Sequence, residues 1–304
     1  MKSTRIFWLA LAVAFCGCAA NAEELTGTLK NIKETGAITL GYRDSSIPFS
    51  YLDDSQKPIG YAMDICNRIV EAVKKELKLD KLEIKLNPVT SATRIPLMAN
   101  GTVDLECGST TNNAERQKQV WFTNTHFLTA SRFVSKKASN IKSIDDLKGK
   151  SVVSTSGTTN IKQLNEANSA RNLGINIIPA KDHAEAFLMV ETDRAAAFVM
   201  DDILLASLVA GSKDPAAYII STDAFSKPEP YGIMLRKDDV AFKKVVDAAT
   251  AALYQGSDGQ KIYDKWFVQK IPPKGLNLNV PMSAELKRVF ANPTDSGDPA
   301  AYKQ

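Results

Sequence analysis

Histidine is almost missing from this chain: His126 and His183 are the only two in 304 residues. Cysteine occurs four times and tryptophan three times. A His-rich or Cys-rich metal centre is thereby excluded, and nothing in the sequence asks for a cofactor. Charge of one sign is also scarce. The 38 Lys and Arg face 34 Asp and Glu, a net of +4, with no basic cluster. That excludes nucleic acid as a partner, since a basic footprint needs clustering. There is no GxSxG, no Gly-rich phosphate loop, no HExxH and no CxxC, so the common nucleophilic and phosphate-binding signatures are absent.

Long hydrophobic runs are limited to one. Ile6 to Phe15 (IFWLALAVAF) follows Lys2 and Arg5 and precedes Ala20-Asn21-Ala22. Basic, apolar and then small residues are the layout of a secretory signal, with cleavage expected after Ala22. The run is too short for a bilayer, which needs about 20 apolar residues. Cys16-Gly17-Cys18 leaves lipid attachment at Cys18 as the lesser alternative to soluble export to the periplasm. Removing residues 1–22 leaves 36 basic against 34 acidic residues, and two cysteines, Cys66 and Cys107. Either these two form a disulfide, closing a loop of about 41 residues worth roughly 3–4 kcal/mol, or they are two buried thiols.

What the chain does have is alternation. Ala37–Tyr42, 82–86, 103–107, 152–154, 175–178 and 195–200 read as strands. Residues 61–79, 96–100, 113–119, 158–170, 183–192, 201–210, 238–254 and 257–267 read as helices, and 143–146 opens a short one with a capping-box pattern. Alternating strands and helices predict an α/β fold with largely parallel sheets. The length suits two domains, an apolar fraction of 44% is enough for two cores, and the elements fall into two series. Extended segments at 126–134 and 229–235 join the series, so one lobe interrupts the other. The expected division is a signal at 1–22, lobe I at 23–130 and 232–304, and lobe II at 131–231. The stretch after Met282, ending NPTDSGDPAAYKQ, is polar and rich in Pro and Gly, and is expected to be loosely held.

The notable polar residues cluster where strands end and helices begin. Arg43 follows the first strand, Ser91 and Arg94 the second, and Ser109 to Thr111 the third. In the second series, Thr155 to Thr159, His183 and Asp201 hold the equivalent places. Open α/β sheets bind ligands outside the carboxyl ends of their strands, where helix N-termini favour anions. Each residue also has a plainer reading. A single arginine usually makes a surface salt bridge, Asp201 can cap its helix, and His183 near a helix start is commonly solvated. Tyr42, Phe49 and Tyr51 read as cleft wall or as core. Recurrence at equivalent sheet edges favours a binding cleft.

Several stretches then carry a resemblance over most of the chain: GYRDSSIPFSYLDD (41–54), TSATRIPLMANGTVDLECGSTTNNAERQKQV (90–120), STSGTT (154–159), AKDHAEAF (180–187), AAAFVMDDILL (195–205), YGIMLRKDD (231–239) and YDKWF (263–267). In these the chain resembles the periplasmic solute-binding proteins that feed polar amino acids to ABC importers, and within them the members that take glutamate or aspartate. The resemblance implies two lobes joined by a two-strand hinge, a ligand held between them, and no covalent chemistry. Arg116 and Thr111, with the N–H groups at Thr159, would grip the α-carboxylate. Asp201, helped by Ser109, would take the α-ammonium. Arg43, Ser91, Arg94 and His183 would take the side-chain carboxylate, with Thr155 a secondary candidate. The implied partners are L-glutamate or L-aspartate and the permease subunits of an ABC transporter, with the protein acting as a monomer.

Charge counting agrees with an acidic ligand. Three arginines and Asp201 sum to +2; glutamate lowers that to +1, whereas glutamine leaves two guanidiniums facing an amide. Unpaired buried charge costs several kcal/mol, against about 1.4 kcal/mol per tenfold in affinity. Glutamate against aspartate turns on one methylene of cleft depth, about 1–3 kcal/mol. The alternatives are a cleft enzyme of the same fold, such as a cyclic-acid dehydratase using His183 or Asp201 as acid or base, and a freely diffusing ligand sensor.

Overall fold

The computed structural model describes residues 25–302. The expected signal segment, with Cys16 and Cys18, lies outside them. Two five-stranded sheets organise the chain. The first runs, edge to edge, Glu83–Pro88, Ala37–Tyr42, Leu105–Glu106, Met234–Arg236 and Val120–Phe122. The second runs Asn176–Ala180, Ser151–Thr155, Ala197–Asp201, Ser131–Lys136 and Tyr218–Ile220. In each, the first three strands are parallel, and the fourth runs antiparallel to both its neighbours. The same plan therefore occurs twice, and in each the earliest of the parallel strands lies between the other two. That arrangement makes a topological switch point at the carboxyl end of each sheet, the place where such sheets bind ligands.

The elements follow from the residue pattern. Ile38 and Leu40 of the central strand, and Val152 and Val153 of its counterpart, are fully buried. Parallel strands covered on both faces need such apolar runs. The helix Tyr61–Glu76 buries Ile65, Ile69 and Val73 at a spacing of four, with Cys66 and Val70 on the same stripe. Asn113, Thr158 and Asp182 each accept a hydrogen bond from the third backbone N–H beyond them, capping the helices Ala114–Gln117, Thr159–Ala170 and His183–Glu191. Gly101, at φ +82°, turns the chain out of the helix Arg94–Ala99.

Cys66 and Cys107 form a disulfide with a Cα separation of 6.1 Å. It ties the loop that begins at Gly108 to the helix Tyr61–Glu76. Residues Phe127–Thr129 and Glu229–Tyr231 pair as a two-stranded antiparallel ribbon between the sheets. Phe127 and Tyr231 of this ribbon pack against Phe49, with ring centroids 5.1 and 5.2 Å away, and Phe127 stacks on Phe267 at 5.0 Å. The ribbon is thus anchored in an aromatic core. Phe49 and Tyr51 are core residues, 0% and 1% exposed.

Some expectations need correction. The stretch after Met282 is held rather than loose. Ser283 caps a helix over Ala284–Ala291 whose Leu286, Val289 and Phe290 are buried. Phe290 stacks on Tyr254 at 4.5 Å, and the Tyr302 hydroxyl meets Thr125 Oγ1 at 2.8 Å. The i, i+3, i+4 stripe outweighs the polar composition around it. Residues 82–86 alternate in hydropathy, yet Ile84 and Leu86 are 41% and 47% exposed, because Glu83–Pro88 is an edge strand. The helix Gly27–Thr35 and the strand Tyr218–Ile220 were not expected. Among the described residues, no helix is long and apolar enough to cross a membrane.

Candidate functional site

The carboxyl ends of the first sheet bring three arginines indoors. Arg43 follows the central strand, and its backbone N–H donates to Ser50 Oγ at 2.8 Å. Its Nη2 donates to Ser91 Oγ at 2.9 Å, and the residue is 2% exposed. Arg94 opens the next helix, and its Nη1 donates to the Ser109 carbonyl at 3.2 Å and to the Thr110 hydroxyl. Arg116 donates through Nη1 to the Thr111 carbonyl at 2.8 Å. None of the three is a solvated surface arginine, and Arg94 does not serve as a cap for a neighbouring helix.

The second sheet supplies the facing groups. The Thr158 hydroxyl donates to the Thr155 carbonyl at 2.7 Å while capping its helix, so Thr159 begins that helix with its N–H at the sheet edge. His183 is buried, which sets aside the plainer reading of a solvated ring, and its Nδ1 lies 2.8 Å from Thr155 Oγ1. Asp201 makes no side-chain cap to the helix that follows it. Its carboxylate instead accepts from Asn160 Nδ2 at 2.8 Å and from the hydroxyl of Tyr231 on the connecting ribbon.

The two halves touch. Thr111 Oγ1 lies 3.4 Å from Thr159 Oγ1, and Arg116 Nη2 donates to the Gly157 carbonyl at 3.3 Å. Between them is a small, narrow cavity. Seven of the nine expected residues line it: Ser91, Arg94, Ser109, Thr111, Thr159, His183 and Asp201. Arg43 and Arg116 reach it at one remove, through Ser91 and Thr111. A wider groove lined by Ile47, Tyr51, Phe187 and Leu208 holds none of these arginines.

Burial sets the electrostatics. Burial first, and the neighbouring Arg94 guanidinium second, lower Arg43 to about 10 and Arg116 to about 9. Both stay cationic at neutral pH. Burial, with Arg43 and Arg94 alongside, pushes the His183 imidazole well below its usual range, so the ring is neutral. Burial raises the Asp201 carboxyl, opposed by the bonds from Tyr231 and Asn160 and by Arg116. Among the described residues, Arg43 Nη1, Arg94 Nε and Ser109 Oγ are buried without a hydrogen-bond partner. Such donors favour an oxygen-rich anion, because each unpaired polar atom costs about 1–3 kcal/mol.

Several participants were not foreseen. Glu106 is fully buried, with Oε1 3.9 Å from Arg94 Nη1 and its other oxygen accepting from the Thr110 hydroxyl. It corrects the charge count: with Glu106 included, the group sums to +1 instead of +2. Asn160 and Tyr231 were also missed. The strand alternation around Glu106 gave no hint of an internal carboxylate, whereas Thr158 was signalled by its place just before a helix. No group of three or more His, Cys, Asp or Glu among the described residues is placed to hold a metal ion.

Residues 38–269 match the family model for bacterial extracellular solute-binding proteins, family 3. The chain is 57% identical to an L-glutamate/L-aspartate-binding protein of Pseudomonas aeruginosa over 94% of its own length and 95% of that protein. It is 47% identical to a glutamate/aspartate import solute-binding protein of Escherichia coli, over 96% and 97%. Among solved structures it is similar to an ancestral amino-acid-binding protein described as a precursor of cyclohexadienyl dehydratase. The TM-score there is 0.67 at 27% identity, covering 79% of this chain and 99% of the other.

Proposed function

Because the chain belongs to the bacterial extracellular solute-binding proteins, family 3, we propose that it captures L-glutamate and L-aspartate outside the cytoplasmic membrane and delivers them to an ABC importer. It is a binding protein and carries out no reaction. Lobe I comprises 23–130 and 232–304 and lobe II comprises 131–231. The protein acts as a monomer in the periplasm, released from a signal at 1–22, and docks on the permease subunits of its transporter.

Arg116 forks onto the α-carboxylate, a planar match of guanidinium to carboxylate, with Thr111 and the Thr159 N–H completing the grip. Asp201 and Ser109 take the α-ammonium. Arg43, Arg94, Ser91 and the neutral His183 take the side-chain carboxylate. Ligand bridging both lobes stabilises the closed form, since only that form makes both sets of contacts. The ribbon 127–129 with 229–231 bends as the hinge.

One observation carries the choice of an acidic ligand: two buried arginines, Arg43 and Arg94, each with an unpartnered N–H, beside a single internal carboxylate. The enzyme alternative finds less support, because His183 and Asp201 are both held by fixed partners and the close relatives are named as binding proteins. Mass spectrometry of the small molecule released on denaturing freshly purified protein tests the reading. Glutamate or aspartate is expected; recovery of glutamine or of a cyclic acid would overturn it.

A further inference from the structure

Glu106 lies in the middle strand of the first sheet with none of its surface exposed. A carboxylate in that place needs compensation, since an unpaired buried charge costs several kcal/mol. The compensation comes from the cleft. The Arg94 Nη1 group donates to the Thr110 hydroxyl, which donates in turn to Glu106, and Glu106 Oε1 stands 3.9 Å from the same nitrogen. Arg43 lies against the other flank. A Cβ placed on Gly108 would fall 2.4 Å from Glu106 Oε1 and 3.1 Å from Arg43 Cγ, so glycine there leaves room for both side chains. Glu106 also supports the charge of Arg43, which burial and Arg94 oppose. Its Oε1 has no hydrogen-bond partner among the described residues.

We infer that Glu106 sets the charge limit of the ligand's side-chain pocket, so that the site accepts one negative charge there and turns away two. This rests on Arg43 and Arg94 being the side-chain anion site. The two guanidiniums carry two positive charges, and Glu106 cancels one. The remainder matches a carboxylate or a sulfonate. It leaves a phosphate ester, which bears about −1.5 to −2 at pH 7, with uncompensated charge in a buried place. Glu106 is a positioning and specificity residue that acts through Arg94 and Arg43 and does not itself touch the ligand.

The test compares two ligands that share the α-amino acid part. L-cysteate ends in a singly charged sulfonate and L-O-phosphoserine in a phosphate ester. Calorimetry at pH 7.5 on the full protein and on Glu106→Gln should show the phosphoserine-to-cysteate affinity ratio rising at least tenfold in the variant. A structural role alone would move both ligands together. An unchanged ratio, or a variant that binds cysteate and gains nothing for phosphoserine, overturns the inference while L-glutamate binding by the unaltered protein keeps the wider reading standing. Failure of the unaltered protein to bind L-glutamate would instead sink that reading.

Should Glu106→Gln not fold, the unaltered protein supplies the test. Lowering the pH from 7.5 to 5 adds a proton to the phosphate ester, whose second pKa is about 6. The ratio should then rise at least tenfold in favour of phosphoserine. Asp182 and the neutral His183 lie near Arg43 and Arg94, whereas Asp201 and Glu229 face Arg116, whose proposed partner is the α-carboxylate that the two ligands share. A ratio that stays flat across this range overturns the inference.

Discussion

Gly157 stands directly against Ala92 across the cleft. A Cβ at position 157 would lie 2.5 Å from the Ala92 Cα and 2.7 Å from the Ser91 carbonyl oxygen. The two halves of the protein therefore meet backbone to backbone beside the arginine cluster, and Gly157 also holds a left-handed φ of +76°. The same residue receives the Arg116 guanidinium on its carbonyl. In the proposed reading, closure and ligand capture would share this contact.

Replacing Gly157 by alanine puts a methyl group into that contact. Holding an unfavourable backbone or a crowded contact costs about 1–3 kcal/mol, or roughly five- to 150-fold in affinity. L-glutamate affinity is expected to fall at least about fivefold in calorimetry. Small-angle scattering should show the liganded variant more open than the unaltered protein. Unchanged affinity would mean that the lobes do not close through this contact.

The arginines should separate by ligand. Arg116→Ala is expected to weaken every amino-acid ligand, because the α-carboxylate is common to all. Arg94→Ala should weaken glutamate and aspartate and spare glutamine. Truncating one partner of a buried, hydrogen-bonded charge pair costs about 2–5 kcal/mol, a loss calorimetry resolves easily. Equal losses across ligands in both variants would mean that the two roles are misassigned.

Much of this was legible in sequence. The strand Ala37–Tyr42, the stripe on 61–76, the cap at Asp182 and the polar residues at strand ends follow from spacing alone, since each depends on neighbours within a few residues. Glu106 was not legible: it looks like an ordinary polar position in an alternating strand, and only the fold brings Arg94 and Arg43 to it. Tyr231 and Asn160 are known as partners of Asp201 only because the ribbon and a helix start converge there. The segment after Met282 misled for a different reason. Its polar, Pro- and Gly-bearing ends hid a short helix whose stability comes from docking.

The Cys66–Cys107 bridge closes a loop with a sequence separation of 41. On chain entropy it contributes roughly 3–4 kcal/mol. The exported protein, without residues 1–22, should contain no thiol reactive in denaturant, and the double substitution to serine should lower the unfolding free energy by that amount while leaving the ligand order intact. A free thiol at Cys66 or Cys107 would contradict the bridge.

Glu229, on the hinge ribbon, is buried, and burial together with the nearby Asp201 carboxylate raises it to about 7. In the unfolded chain it titrates near about 4.3. The native state therefore holds an extra proton between these values. Stability from this group is complete at pH 4 and is lost as the pH climbs through 7. The buried His126, lowered to about 3, acts in the opposite sense, adding stability as the pH rises toward 6.5. The difference between unaltered protein and Glu229→Gln isolates the first effect: from pH 5 to 8, the unliganded protein should lose stability relative to the variant. A constant difference would place Glu229 in its ordinary range.

Calorimetric titration of ligand-free protein with L-glutamate, L-aspartate and L-glutamine goes most directly to the centre of the matter. With Arg43 and Arg94 buried beside one carboxylate, either acidic amino acid should bind one to one and at least a hundredfold more tightly than glutamine, the factor set by several kcal/mol of uncompensated charge. Glutamine binding as tightly as glutamate, or more tightly, would contradict it.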